Sequence, residues 1–166
     1  MATVPRPAQD EALSELELGA WRGMLRVHAA LVKALDANLE AAHGLPLTHY
    51  DVLVQVANNE GARMRMCDLA DGILLSRSGL TRLVDRMAKD GLLERCACED
   101  DARGSFACLT EAGRARLEEA RPTHLAAVRT LFLGAFDDSE LAQFASLWER
   151  VLPQVGAAAG ESCCES

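Results

Sequence analysis

A mostly α-helical fold carrying one small β-hairpin is predicted by three features of the sequence. Apolar residues recur at threes and fours over most of the 166 residues. Aromatic residues make up only 4% and prolines number five, a composition that suits helices rich in Ala, Leu, Glu and Arg better than a many-stranded sheet. Two neighbouring segments, Leu92 to Cys98 and Gly104 to Leu109, read instead as short strands around a charged turn. With 49% hydrophobic and 25% charged residues, the chain has the composition of one ordinary soluble domain or two small ones.

Residues 1–10 contain Pro5 and Pro7 and little apolar material, and are expected to form a mobile arm. Over 11–44, Leu13, Leu16, Ala20, Met24, Val27, Leu31, Leu35 and Leu39 keep helical spacing until Gly44, where a helix would stop. About thirty residues at 1.5 Å each extend roughly 45 Å, too far to be buried against a small domain. A partner helix from a second chain is therefore expected. Thr48 is placed to cap a second helix through Val52, Leu53, Val56 and Ala57, ended by the turn Asn58-Asn59-Glu60-Gly61. A short helix around Met66 to Asp71 follows. Ser76 is a good N-cap for Arg77 to Asp90, with Gly91 as the stop.

The two strands come next, joined by Glu99-Asp100-Asp101-Ala102-Arg103, and Thr110 caps a helix from Glu111 to about Arg121. Pro122 is expected to bend or reset that helix, since it lacks a backbone donor; the pattern resumes through Leu125, Val128, Leu131, Phe132 and Phe136. A last helix begins near Asp137 or Asp138, carries Leu141, Phe144, Leu147, Trp148 and Val151, and weakens at Pro153. The expected division is an arm (1–10), a first long helix (11–44), a compact unit (45–113), closing helices (114–157) and a disordered tail (158–166).

Several functions are disfavoured. No apolar run approaches the roughly 18 to 20 residues of a membrane-spanning helix, and Met1 to Glu17 lacks the basic-then-apolar order of a signal peptide. A cytoplasmic protein without a membrane partner is expected. The six cysteines, at 67, 96, 98, 108, 163 and 164, fit neither a secreted disulfide framework nor zinc-finger spacing, and free thiols in a reduced compartment are expected. His28, His43, His49 and His124 show no metal-binding spacing and read as surface or interface histidines. No Ser/His/Asp arrangement, phosphate-gripping loop or paired-acid constellation is present, so neither catalysis nor a cofactor is expected.

The formal charge of -8 is unevenly spread: residues 61–103 balance eight basic against eight acidic side chains, while both flanks are acidic. That middle repels an anionic partner least. Within it, Leu80, Leu83, Val84 and Met87 form one apolar stripe, and Ser78, Thr81, Arg82 and Asp85 repeat the same spacing on another face. From Ser76 to Lys89 there are four cations and one carboxylate. A short helix, a turn, a cationic helix with short polar side chains and then a hairpin is the order a winged helix-turn-helix requires, because the second helix must enter a groove about 12 Å wide. Ser78, Thr81 and Arg82 are candidates for base edges; Ser76 caps the helix; Arg77, Arg86 and Lys89 suit phosphates; Arg103 at the hairpin tip suits a minor groove.

Leu69-Ala70, then Ser76-Arg77-Ser78-Gly79-Leu80-Thr81-Arg82-Leu83-Val84-Asp85-Arg86, Gly91-Leu92-Leu93-Glu94-Arg95, Asp101-Ala102-Arg103 and Leu109-Thr110-Glu111-Ala112-Gly113 together resemble the winged-helix core of MarR-type transcription regulators. The likeness covers roughly Leu47 to Arg121 in detail, and the flanking helices only in kind. It implies a mostly α winged helix-turn-helix protein flanked by long dimerisation helices, bound as a homodimer to a pseudo-palindromic operator in double-stranded DNA. It also implies a regulator, here expected to be a repressor, released by a small-molecule effector or an oxidant, with Asp101 orienting Arg103. Two departures from the family pattern are the Cys96-Ala97-Cys98 run and the acidic loop formed by Glu99, Asp100 and Asp101.

Cys96 and Cys98 share one strand face, and Cys108 lies diagonally across from Cys96 if the hairpin turns near Asp101. Three thiols there could bind a soft metal or form a redox couple, making the chain a thiol-based metal or oxidant sensor; equally, they could be small hydrophobes filling the layer beneath the hairpin. Trp21 suits a dimer-interface anchor or a wall of an effector pocket. A helical interaction module that binds no DNA is a third class.

Overall fold

The computed structural model describes residues 12–73, 77–97 and 105–159. The expected arm 1–10, Ser76, Cys98, Asp101, Arg103 and the end of the tail lie outside the described residues. The elements run α1 (Glu15–His43), α2 (Leu47–Asn58), a 3-10 turn (Glu60–Ala62), β1 (Arg63–Arg65), α3 (Met66–Gly72), α4 (Arg77–Lys89), β2 (Leu93–Ala97), β3 (Ser105–Leu109), α5 (Glu111–Leu131), a 3-10 turn (Leu133–Ala135) and α6 (Asp138–Ala159). Among the described residues no helix is long and apolar enough to cross a membrane.

Local chemistry sets the helix ends. Helix α1 starts at Glu15 rather than Glu11, because Ser14 and Glu17 form a reciprocal cap in which each side chain accepts from the other's backbone N–H. Gly44 ends it in the left-handed region, at φ +59°. Thr48 is not the cap of α2. Pro46 occupies that position, and the Asp36 carboxylate of α1 accepts the Leu47 N–H at 2.8 Å, so the start of α2 is tied to its neighbour instead of to its own side chain. Asp137 and Glu140 cap α6 reciprocally, each bond 2.9 Å long.

Neither internal proline breaks its helix. Helix α5 runs unbroken through Pro122, and α6 continues past Pro153 to Ala159. In α5 the buried Leu117, Ala120 and Ala127 lie on both sides of the proline, and α5 packs on α1 and α2, so tertiary packing outweighs the one lost backbone bond.

The hairpin acquires a third strand that the sequence pattern did not suggest. The sheet order is β1-β3-β2, antiparallel throughout, with Arg63 opposite Cys108, Arg65 opposite Phe106, Glu94 opposite Cys108 and Cys96 opposite Phe106. One sheet face carries Leu93, Leu109, Ala107 and Met64 into the core. That core is continuous with Val52, Leu53 and Val56 of α2, Leu69 of α3, Leu80, Val84 and Met87 of α4, Leu39 of α1 and Leu117 of α5.

A close approach fixes how β3 hands over to α5. The Thr110 hydroxyl donates to the Gly91 carbonyl at 2.6 Å and accepts the Gly113 N–H at 2.9 Å, joining the end of α4 to the start of α5. A Cβ at Gly113 would overlap the Leu92 carbonyl oxygen. Gly113→Ala is therefore expected to lower stability by about 1–3 kcal/mol, the usual range for overpacking, measured by urea unfolding; an unchanged midpoint would show that this junction gives way easily.

Candidate nucleic-acid interface

Helix α4 is two-faced because its sequence is. Leu80, Leu83, Val84 and Met87 are buried, whereas Ser78, Thr81, Arg82, Asp85, Arg86 and Lys89 are exposed along the opposite side. Arg77 opens the helix. Arg82 Nε donates to the Ser78 carbonyl at 3.2 Å, which lays the side chain back along the axis toward the N-terminal turn. Asp85 is engaged elsewhere: its Oδ1 accepts from Nε and Nη2 of Arg95 at 3.0 and 2.7 Å, a charge-assisted pair joining α4 to β2. The one carboxylate on the polar face is thus neutralised by the wing strand.

Of the residues singled out in sequence, the structure brings Ser78, Thr81, Arg82, Arg86 and Lys89 onto one exposed face. Ser76, Asp101, Arg103 and Cys98, and with them the expected Asp101–Arg103 contact, lie outside the described residues. Three groups were given no role from the sequence: Arg95, and Arg63 and Arg65 on β1, whose guanidinium carbons stand 5.7 and 5.5 Å from the Phe106 ring centre. The alternation Arg63-Met64-Arg65 was the signal, hidden by a strand only three residues long.

Cys96 and Cys108 form a disulfide, with Cα atoms 6.2 Å apart. This corrects the expectation of free thiols for these two cysteines. It also corrects the packing alternative: both cysteines share the outer sheet face with Glu94, Arg63, Arg65 and Phe106, on the side away from the core. Among the described residues no group of His, Cys, Asp and Glu is arranged to hold a metal.

A cleft of about 1160 Å³ opens between α1, α2 and α5. Its walls combine apolar Val32, Val54 and Leu125 with His28, Lys33 and Arg121, and Tyr50 packs on His124 with ring centres 4.4 Å apart. Burial raises the Asp51 carboxyl and the Tyr50 hydroxyl above their ordinary values and lowers His124. Trp21 does not line this cleft; it stands about half exposed on α1.

His49 also departs from the expected surface role, being buried within α2. Burial, and after it the Arg86 charge, lowers its pKa below 6.5. His49 and His124 each carry an Nδ1 with no hydrogen-bond partner among the described residues. As pH falls through about 6.5 the unfolded chain takes up protons at these histidines more readily than the folded chain, so stability should fall as pH drops below that point. Asp51 acts oppositely at lower pH, because the folded carboxyl is protonated first. Melting temperatures between pH 7.5 and 5.5 should decline, and the double variant His49→Gln, His124→Gln should flatten the decline; a slope identical to that of the unaltered chain would contradict the assignment.

The buried stripe, exposed cationic face and three-stranded wing base of this chain define a winged helix-turn-helix protein. The sequence model of the MarR family matches residues 43–104. AbsC, a MarR family transcriptional regulator from Streptomyces coelicolor, is 34% identical, superposes with a TM-score of 0.82, and is covered over 97% of its chain by 87% of this one. Sco3205, a MarR family regulator from the same organism solved in complex with DNA, is 30% identical with a TM-score of 0.81, covering 87% of this chain and 90% of its own. The regulator MhqR of Bacillus subtilis is 28% identical over 109 residues, 66% of this chain and 73% of that protein. The chain belongs to the MarR family of transcription regulators. Its fold and family are those of regulators rather than of enzymes.

Proposed function

We propose that the chain is a homodimeric, sequence-specific DNA-binding repressor of the cytoplasm that a small-molecule effector releases from its operator. The exposed polar face of α4, cationic within a chain of formal charge -8, carries this reading. In it, Ser78, Thr81 and Arg82 touch base edges, Arg77, Arg86 and Lys89 touch phosphates, Ser76 caps the helix, and Arg103, oriented by Asp101, enters the minor groove. Residues 45–113 form the DNA-binding unit, and 11–44 with 114–157 form the dimer, the boundary after Gly113 falling inside α5.

The dimer reading is supported by the apolar side chains left uncovered on the terminal helices. Leu16 is 84% exposed and Leu152 65%, with Leu13, Trp21, Leu147 and Trp148 also open to solvent. Trp21 anchors the subunit contact. The effector occupies the cleft between α1, α2 and α5, where apolar walls meet Lys33, Arg121 and the Tyr50–His124 stack, and shifts the spacing of the two α4 helices away from the about 34 Å that adjacent major grooves demand.

The experiment is capture of sheared genomic DNA by the purified protein at low salt, followed by sequencing. Recovery of one pseudo-palindromic sequence is expected. Retention of no fragment, by a protein that sediments as a folded dimer, would favour a helical interaction module instead.

A further inference from the structure

We infer that Arg95 is a positioning residue for DNA recognition: by holding Asp85 toward β2 it keeps that carboxylate away from Arg82 and Lys89 and leaves those cations to the duplex. Asp85 is the one carboxylate from Arg77 to Lys89, and Asp90 lies past the end of α4. It stands three positions after Arg82 and four before Lys89, the spacings at which opposite charges meet on a helix. Among the described residues its partner is Arg95 instead. Oδ1 accepts from Nε and Nη2 of Arg95 at 3.0 and 2.7 Å, while Arg82 Nε turns toward the Ser78 carbonyl, one turn nearer the start of the helix.

The strand delivers this arginine to the helix. Strand β2 packs against α4, and Arg95, opposite Ala107, alternates with Leu93 on the sheet face that turns toward the core. Its neighbours Glu94 and Cys96 belong to the other face, so the adjacent carboxylate is aimed away from α4. Two guanidinium nitrogens converge on one oxygen of Asp85, a fork that a lysine ammonium does not reproduce.

The pair does little for the fold. The two side chains are 37% and 49% exposed, and ion pairs that open to solvent contribute little to stability. Their weight falls on the charge that DNA meets. Without Arg95, Asp85 is released to recapture Arg82 or Lys89 and sets a carboxylate beside the phosphates; each effect weakens binding, and each needs the carboxylate. The inference rests on the reading of α4 as the recognition helix.

The test is a double-mutant cycle in the full chain: the unaltered protein, Arg95→Met, Asp85→Asn and the double variant. Each is titrated against the fragment recovered by genomic capture and against a scrambled duplex at several salt concentrations, with melting temperature showing that each is folded. Arg95→Met should weaken operator binding roughly tenfold or more and lower the salt dependence by about one unit per subunit. Asp85→Asn should bind at least as tightly as the unaltered chain, and the double variant should recover to within about threefold of it. Arg95→Lys, which keeps the charge without the fork, should fall between the unaltered chain and Arg95→Met. Equal losses in Arg95→Met and Asp85→Asn, or a double variant as weak as Arg95→Met, would make the pair a tie between helix and strand and overturn the inference. Operator affinity unchanged in Arg95→Met overturns it as well. An unaltered chain that does not prefer the recovered fragment to the scrambled duplex overturns the reading of α4 and this inference with it, a result visible without any variant.

Discussion

Arg82→Ala is expected to weaken binding to the preferred operator by roughly five- to 150-fold, the equivalent of the about 1–3 kcal/mol that a bidentate arginine–guanine contact contributes, while leaving affinity for unrelated duplexes nearly unchanged. The reason lies in where the side chain sits. Arg82 is exposed on the polar face of α4, four residues from Ser78, whose carbonyl it touches, and the buried partners on the other face, Leu83 and Met87, belong to the core. Truncation should cost the fold less than about 0.5 kcal/mol, as at most exposed sites. Arg86→Ala and Lys89→Ala should behave differently, weakening every duplex alike and lowering the salt dependence by about one unit each. Titration of both variants against operator and scrambled duplex at several salt concentrations separates the two roles. Equal loss on both duplexes for Arg82→Ala would make it a phosphate contact.

Leu16→Glu is expected to raise the dimer dissociation constant by a hundredfold or more. A two-fold dimer repeats each contact, so the substitution removes two leucines from the interface at roughly 1.5–3 kcal/mol each when fully buried. It also places two carboxylates where water is excluded. Within a single chain Leu16 is the most exposed large apolar residue of α1, and its loss costs the isolated subunit little. Sedimentation at micromolar concentration should show monomers for the variant and dimers for the unaltered chain. A variant that remains dimeric would move the interface away from the start of α1.

Much of the fold was legible because local signals and burial agree. The stripe Leu80, Leu83, Val84 and Met87 is buried as its spacing requires, Thr110 caps α5, and Gly91 ends the α4 turn at φ +74°. The failures share a cause, since each was settled by a partner distant in sequence. Pro122 looked like a point where the helix would bend or reset, yet with α1 and α2 packed around it α5 runs on as one helix. Thr48 looked like a cap until Asp36 of α1 reached the Leu47 N–H. β1 is too short to show a period and exists because β3 offers it an edge. The diagonal approach of Cys96 and Cys108 could be read from strand pairing, but which sheet face they occupy depends on register against the core, and only the three-stranded arrangement decides that.

The central claim is that α4 presents its polar flank to base edges in the major groove. The most direct measurement is protection of guanine N7 from dimethyl sulfate on the recovered operator. Two protected clusters centred about one helical turn apart are expected, with the contact opposite Arg82 lost in Arg82→Ala and the remainder kept. Protection confined to the minor groove, or none at N7 in a complex that still forms, would contradict the account.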